Sequence, residues 1–215
     1  MEVTIIGAGN MGRGIGTRLV AGGNRVKVVD NDPEQARELG EELQDSAGDG
    51  GGAEGGAAGD PLSGDVVVLA VWYDGAQSAV GQYGDQLDGK VVVDITNPVD
   101  VETFDGLVVP PDSSAAEELE KMAPQGAKLV KAFNTTFAGT LVAGQVAGQP
   151  LDVFIAGDDD EAKQTVAELA RSGDLNPIDA GPLRRARELE RLGFLHMALQ
   201  EGLGTGYGSA VKVIA

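Results

Sequence analysis

Gly7, Gly9 and Gly12 stand at G-x-G-x-x-G spacing in "GAGNMG", and Asp30 follows 18 positions after the last glycine. Such a pattern does its chemistry through the backbone. Gly7 permits a tight turn, Gly9 lets a pyrophosphate approach the main chain, and Gly12 lets helix and strand pack closely. A helix opening there offers unpaired N–H groups and a positive dipole end to phosphate oxygens. The motif carries weight only in context, and the context is present: an apolar strand precedes it, a helix follows, and the next strand, "RVKVVD", ends on the acid. A dinucleotide site is therefore expected here.

Two readings of Asp30 stand. As a ribose clamp, its carboxylate accepts hydrogen bonds from the 2′- and 3′-hydroxyls and repels a 2′-phosphate. Asn31 and Asp32 add no cation, so this pocket suits NAD(H) over NADP(H). As a turn residue, Asp30 merely precedes Pro33. Arg13, one position past Gly12, is within sequence reach of a phosphate.

A ligand in this kind of fold sits at the carboxyl ends of the strands. Those ends read "AVWYD" (70–74), "ITNPV" (95–99) and "AFNTT" (132–136). Trp72 follows a buried-type strand, and both a core role and a ligand role fit it. Asn97 and Pro98 fall where backbone groups contact a nicotinamide ribose, and Asn134 follows the next strand.

Other candidates for chemistry have simpler explanations. His196, the only histidine, lies among Leu189, Leu192, Leu195 and Leu199 and reads as a packing residue. "GDDDEAK" (157–163) reads as a helix start, Asp158 capping and Glu161 completing the box, in place of a metal cluster. There is no cysteine and no nucleophile–His–acid set. No catalytic or metal-ligating residue is assigned, and the reactivity is expected to belong to cofactors.

The elements that must position these residues alternate. Strands are expected at 2–7, 25–30, 65–71, 90–95, 127–132, 151–156 and 175–179, and in the C-terminal apolar tail. Helices are expected at 10–22, 33–45, 75–87, 113–123, 138–144, 159–171 and 182–201. Residues 48–59, "GDGGGAEGGAAG", are so rich in glycine that a flexible loop with at most a vestigial strand is expected. Buried Val runs alternating with helices imply an α/β, Rossmann-type, doubly wound and mainly parallel sheet. The chain reads as a single dinucleotide-binding domain over 1–215, with 181–215 forming a C-terminal helical extension.

Composition narrows the setting. The 215 residues are 42% hydrophobic, enough for one full core, and carry a formal charge of −18. That charge repels phosphate backbones and argues against nucleic acid. No apolar run approaches membrane-spanning length, and the chain starts on a strand, so a cytoplasmic protein is expected. The acidity fits a high-salt cytosol or an ordinary acidic protein, and the count of only seven Lys favours the first. Leu189, Leu192, Phe194 and Leu199 give the last long helix apolar surface for the sheet or for a homodimer partner.

Taken in order, "IIGAGNMGRG", "VVVDITNPV", "SSAAEELEKMAP", "KLVKAFNTT", "FIAGDDDEAK", "DAGPLRRARELE" and "GTGYGSAVK" resemble the F420-dependent NADP oxidoreductases over nearly the whole chain. The first part is also similar to the N-terminal domain of pyrroline-5-carboxylate reductases, without their long helical dimerisation domain. The resemblance implies hydride transfer between a nicotinamide dinucleotide and a deazaflavin (F420) or flavin coenzyme. It implies a nucleotide site at Gly7, Gly9, Asn10, Met11, Gly12, Val71, Trp72, Asn97 and Pro98. The second coenzyme would lie near Asn134–Thr136 and "LGTGYG", with the C-terminal helix and tail covering it. Two departures stand out: Asp30 and Asn31 replace a Ser-Arg pair of NADP-specific members, and Asn134 stands where some members carry His. Two rival functions remain. One is reduction of a small C=O or C=N substrate, with Tyr73, Tyr83, Tyr207, His196 or water as proton donor. The other is a non-catalytic dinucleotide-sensing module.

Overall fold

The computed structural model describes residues 1–214. Valine-rich strands pair in register into one eight-stranded sheet. β1 (Glu2–Ile6) lies between β2 (Arg25–Asp30) and β4 (Val66–Leu69), with β3 (Gly52–Ala57) outside β2. On the other side follow β5 (Val91–Asp94), β6 (Lys128–Lys131), β9 (Asp152–Gly157) and β10 (Asn176–Gly181). The first six strands are parallel in the order 3-2-1-4-5-6, the doubly wound arrangement. β9 then runs antiparallel to β6, with β10 parallel to β9. A two-stranded hairpin, β7 (Gln145–Val146) with β8 (Gln149–Pro150), stands apart.

Alternation along the strands divides the core in two. Val3, Ile5, Val66, Val68, Val91 and Val93 face one side. There they meet α1 (Asn10–Ala21), α2 (Pro33–Asp45), α5 (Ala138–Ala143) and α6 (Asp160–Ser172). Ile6, Val67, Leu69 and Val92 face α3 (Tyr73–Tyr83), α4 (Ala115–Met122) and the start of α7 (Ala186–Ala198). Both faces are covered, so continuous apolar runs are tolerated in the strands.

Four expectations change. The glycine-rich 52–57 segment is a full strand, paired with β2 from Arg25↔Gly52 to Asp30↔Ala57. Glycine is required there by close helix packing: a Cβ on Gly55 would lie 2.2 Å from the Ala36 carbonyl oxygen, and one on Gly40 2.5 Å from the Gly55 nitrogen. Helix and strand meet backbone to backbone, which compensates for the glycine entropy cost. The helix expected over 75–87 starts earlier, at Tyr73, and ends in a tight turn at Gly84–Leu87. The long C-terminal helix is broken into a turn at Leu183–Arg185, α7, and α8 (Gln200–Leu203). Residues 209–214 form no strand; Asp152 holds them instead, accepting from Val213 N at 2.7 Å and pairing with Lys212.

The α6 cap also shifts by one residue. Asp159, not Asp158, accepts from Ala162 N at 2.8 Å, while Asp158 accepts from Leu183 N at 2.9 Å and ties the turn before α7 to the sheet.

Candidate functional site

β1 delivers the chain into a turn that only glycine permits. Gly7 has φ +115°, and a Cβ there would lie 2.4 Å from the Ala70 carbonyl oxygen. Gly12 lies under the same turn, where a Cβ would come within 2.1 Å of the Gly7 oxygen. Gly9 differs from both. A Cβ on it meets nothing within 4 Å, and its backbone is in the ordinary extended region (φ −75°, ψ −171°). The fold therefore does not demand glycine at 9, whereas a group approaching the main chain from outside would. Gly9 is also the N-cap of α1 without a side-chain cap, and no acid stands in the first turn. The positive helix end and its orphan N–H groups are left for an anion. Asn10 is exposed beside it and Met11 half-buried. These features fit a dinucleotide pyrophosphate.

Asp30 ends β2 beside this turn. Its Oδ2 accepts from Ala8 N at 2.7 Å and its Oδ1 from Asp32 N at 3.0 Å. It thus braces the glycine loop and shapes the turn, with carboxylate lone pairs left over and Asn31 exposed next to it. Asp32 is the α2 cap, accepting from Glu34 N at 3.1 Å. Arg13 is engaged elsewhere, its Nε 2.9 and 3.0 Å from the Glu42 carboxylate oxygens.

Across the sheet's switch point, Val71 packs against the Gly7 turn, and Trp72 caps α3 with its side chain 73% exposed. A core role for Trp72 is thereby excluded. At the ends of β5 and β6, Asn97 and Asn134 clasp each other. Asn97 Nδ2 donates to the Asn134 carbonyl at 2.7 Å, and Asn134 Nδ2 donates to Asn97 Oδ1 and to the Leu189 carbonyl, each at 2.9 Å. Pro98 is buried beside them. α7 crosses directly over this clasp at Gly193, where a Cβ would come within 2.5 Å of Asn97 Oδ1. Two polar atoms nearby, Thr96 Oγ1 and Asn134 Oδ1, are buried without a partner. Phe133 turns the chain into the clasp with φ +62°, an uncommon conformation for a bulky residue.

His196, on the next turn of α7, is buried and fully bonded. Its Nδ1 lies 3.2 Å from the Thr135 carbonyl, which fixes the hydrogen on Nδ1, and Nε2 faces the Ser209 hydroxyl at 2.9 Å. Phe137 stacks on the ring at 4.2 Å, and Tyr207 meets Phe137 edge-on at 5.0 Å. Burial pushes the imidazole pKa below its ordinary value, partly opposed by the Thr135 contact. Tyr73 is half-buried; burial, then Glu118, Glu190 and Asp94, push its phenol up.

One cluster escaped the sequence reading. Lys131, fully buried, bonds Asp94 at 2.8 Å, Glu190 at 2.8 Å and the Thr96 carbonyl at 2.5 Å. Each partner sits in a run read as strand or helix. The available signal was a charge at the last position of both apolar strands, "VVVD" and "KLVK".

Comparison with known proteins then places the chain. A family described as NADP oxidoreductase, coenzyme F420-dependent, matches residues 2–98. The F420-dependent NADP reductase of Methanocaldococcus jannaschii is 30% identical over 96% of each chain. The chain belongs to the F420-dependent NADP oxidoreductase family. This is a family of NAD(P)-dependent oxidoreductases, and the resemblance carried by the ordered motifs holds. A solved structure from Arthrobacter sp. FB24, whose name proposes the same reductase activity, superposes with TM-score 0.81 at 28% identity over 99% of both chains. Metalloreductase STEAP3 of Rattus norvegicus is 34% identical over 89% of this chain, which spans 36% of that protein's length. An imine reductase from Myxococcus stipitatus shares the fold, with TM-score 0.66 and 18% identity over 95% of this chain and 62% of that one.

Proposed function

We propose that the protein transfers a hydride between a nicotinamide dinucleotide, NAD(H) in preference to NADP(H), and a deazaflavin (F420) or flavin coenzyme. The observation that carries the dinucleotide half is the open approach at Gly9 beside an uncapped helix end, with the Asp30 carboxylate at the edge of the same turn. A 2′-phosphate brought to that edge meets a carboxylate that Ala8 and Asp32 already hold in place, with no cation on Asn31 or Asp32 to offset it. The bound coenzymes supply the transferable hydride and its acceptor. The chain's part is to position, and ring-to-ring transfer depends on alignment more than on an acid or base. His196, turned to Thr135 and Ser209, and the Asn97–Asn134 clasp are suited to holding α7 and the tail in place.

Gly7, Gly9, Asn10, Met11 and Gly12 hold the pyrophosphate in this reading, and Asp30 with Asn31 flanks the adenosine ribose. Val71, Trp72, Asn97 and Pro98 line the nicotinamide half, and Asn134 lies where the two rings meet. The whole chain acts as one domain, α7, α8 and the tail covering the second coenzyme. The exposed Leu195, Leu199 and Leu203 along α7–α8 support a homodimer. The setting proposed is cytoplasmic; among the described residues no helix is long and apolar enough to cross a membrane. The metalloreductase relative favours the flavin arm as a second reading. Reducing a metal ion one electron at a time from a hydride donor requires a carrier able to split the electron pair, as flavins do.

Titration with NADH and NADPH tests the dinucleotide assignment. The unchanged protein should bind NADH at least tenfold more tightly, and Asp30→Ser with Asn31→Arg should reverse the order. An unchanged preference in the double variant removes Asp30 as the selector.

A further inference from the structure

The charge buried behind the nicotinamide half of the site is unbalanced. Lys131 is the single cation between two carboxylates, Asp94 and Glu190, all three with side chains at 1% exposure or less. Each acid accepts from at least two donors, and burial pushes the Glu190 carboxyl above its ordinary value, opposed by Lys131. Asp94 accepts on Oδ1 from Thr96 N at 2.8 Å and on Oδ2 from Lys131. Glu190 accepts on Oε2 from Ala115 N at 2.9 Å and on Oε1 from Lys131 and, at 3.4 Å, Ala116 N. With both carboxylates ionised, the single lysine leaves one negative charge in excess, which the first turn of α4 offsets only in part. Neighbouring cations are committed elsewhere: Arg187 forks onto Glu117 at 2.6 and 2.8 Å, and Lys121 pairs with Glu118 at 2.6 Å.

Its position gives that charge a use. Asp94 and Lys131 are register partners at the last residues of parallel β5 and β6. Asn97 and Asn134 follow three residues after these strand ends, and the turn that brings Thr96 N onto Asp94 and the Thr96 carbonyl onto Lys131 sets Asn97 next to the cluster. Tyr73, the residue after Trp72 on the same edge, has its phenol pushed up first by burial, then by Glu118, Glu190 and Asp94.

Resting on the dinucleotide reading above, we infer that the Asp94–Lys131–Glu190 cluster is an electrostatic positioning device that favours the oxidised nicotinamide. The oxidised ring is a cation and the reduced ring is neutral. An uncompensated buried anion nearby therefore binds the product of hydride donation more strongly and makes the bound reduced dinucleotide a better donor. Burial keeps this effect from being screened by salt.

The test is a pair of equilibrium titrations, with NAD+ and with NADH, on the unchanged protein and on Glu190→Gln and Asp94→Asn, with melting curves to verify folding. Each substitution removes one negative charge from a different element. Both should weaken NAD+ relative to NADH by roughly three- to tenfold, the size expected for a unit charge about 10 Å away at an effective dielectric near 20, reduced by local screening. A structural role alone would weaken both ligands equally, and a ratio within twofold of the unchanged protein in a folded variant overturns the inference. Should neither variant fold, the unchanged protein still decides the matter. It should bind NAD+ at least as tightly as NADH, and NADH bound tenfold more tightly overturns the inference. Failure to bind either form defeats the dinucleotide reading itself and the inference with it.

Discussion

Gly9 and Gly12 both belong to the dinucleotide motif, yet alanine should act on them through different physics. At Gly12 the new Cβ would lie 2.1 Å from the Gly7 carbonyl oxygen. Ordinary C···O contacts begin near 3.3 Å, so the turn must open by about 1 Å. It cannot do so freely, because Gly7 is itself packed against Ala70, just past the end of β4. Overpacking of this kind costs about 1–3 kcal/mol, and for a chain of this size that lowers Tm by roughly 3–10 °C. Gly9→Ala meets nothing within 4 Å and needs no unusual backbone. Its stability should stay within about 0.5 kcal/mol of the unchanged protein. The methyl group projects instead into the space assigned to the pyrophosphate and should weaken NADH at least tenfold, about 1.4 kcal/mol. Melting with and without NADH separates the two effects. At a hundredfold excess over Kd, binding adds about 2.7 kcal/mol to the unchanged protein. Gly9→Ala should melt normally without ligand and lose about half of that gain or more. A Gly9→Ala protein that melts normally and keeps the full ligand shift would refute the assignment of Gly9 as the pyrophosphate approach.

Two further outcomes follow from the same residues and the same charge. The buried His196 favours its neutral form, so the folded state binds fewer protons than the unfolded chain just below the ordinary histidine pKa. Its contribution is complete above about pH 6.5 and is lost as pH falls through the depressed folded value; Tm should drop from pH 7 to 5, and His196→Gln should flatten that slope. The charge of −18 on 215 residues implies self-repulsion that salt relieves. We expect Tm to climb between 0.1 M and molar KCl, and a flat curve would exclude adaptation to a high-salt host.

The parts of the fold that local pattern controls are legible in the sequence. β1, the glycine turn, α1 and β2 follow from short-range spacing, and Pro33 marks the start of α2 at the residue found. What stays hidden depends on partners distant in sequence. Glycine is a poor strand former by itself, and only the approach of Gly40 and Ala36 from α2 explains why 52–57 pairs as β3. Asp94 and Lys131 look like strand-end charges until the parallel register places them side by side and α7 brings Glu190 onto Lys131 from the other side. From sequence, Asp30 is either a turn residue or a clamp. Its bond to Ala8 N shows that it organises the glycine loop, a tertiary contact that no local pattern announces.

Turnover tests the central claim most directly. NADH and NADPH oxidation should be followed spectrophotometrically with F420, with free flavins and with cyclic imines as acceptors, at low salt and at molar KCl. The predicted result is NADH-dependent reduction of the deazaflavin or flavin, with slower turnover from NADPH and none with imines. Imine turnover without deazaflavin or flavin reduction, or tight dinucleotide binding with no turnover on any acceptor at either salt, would contradict it.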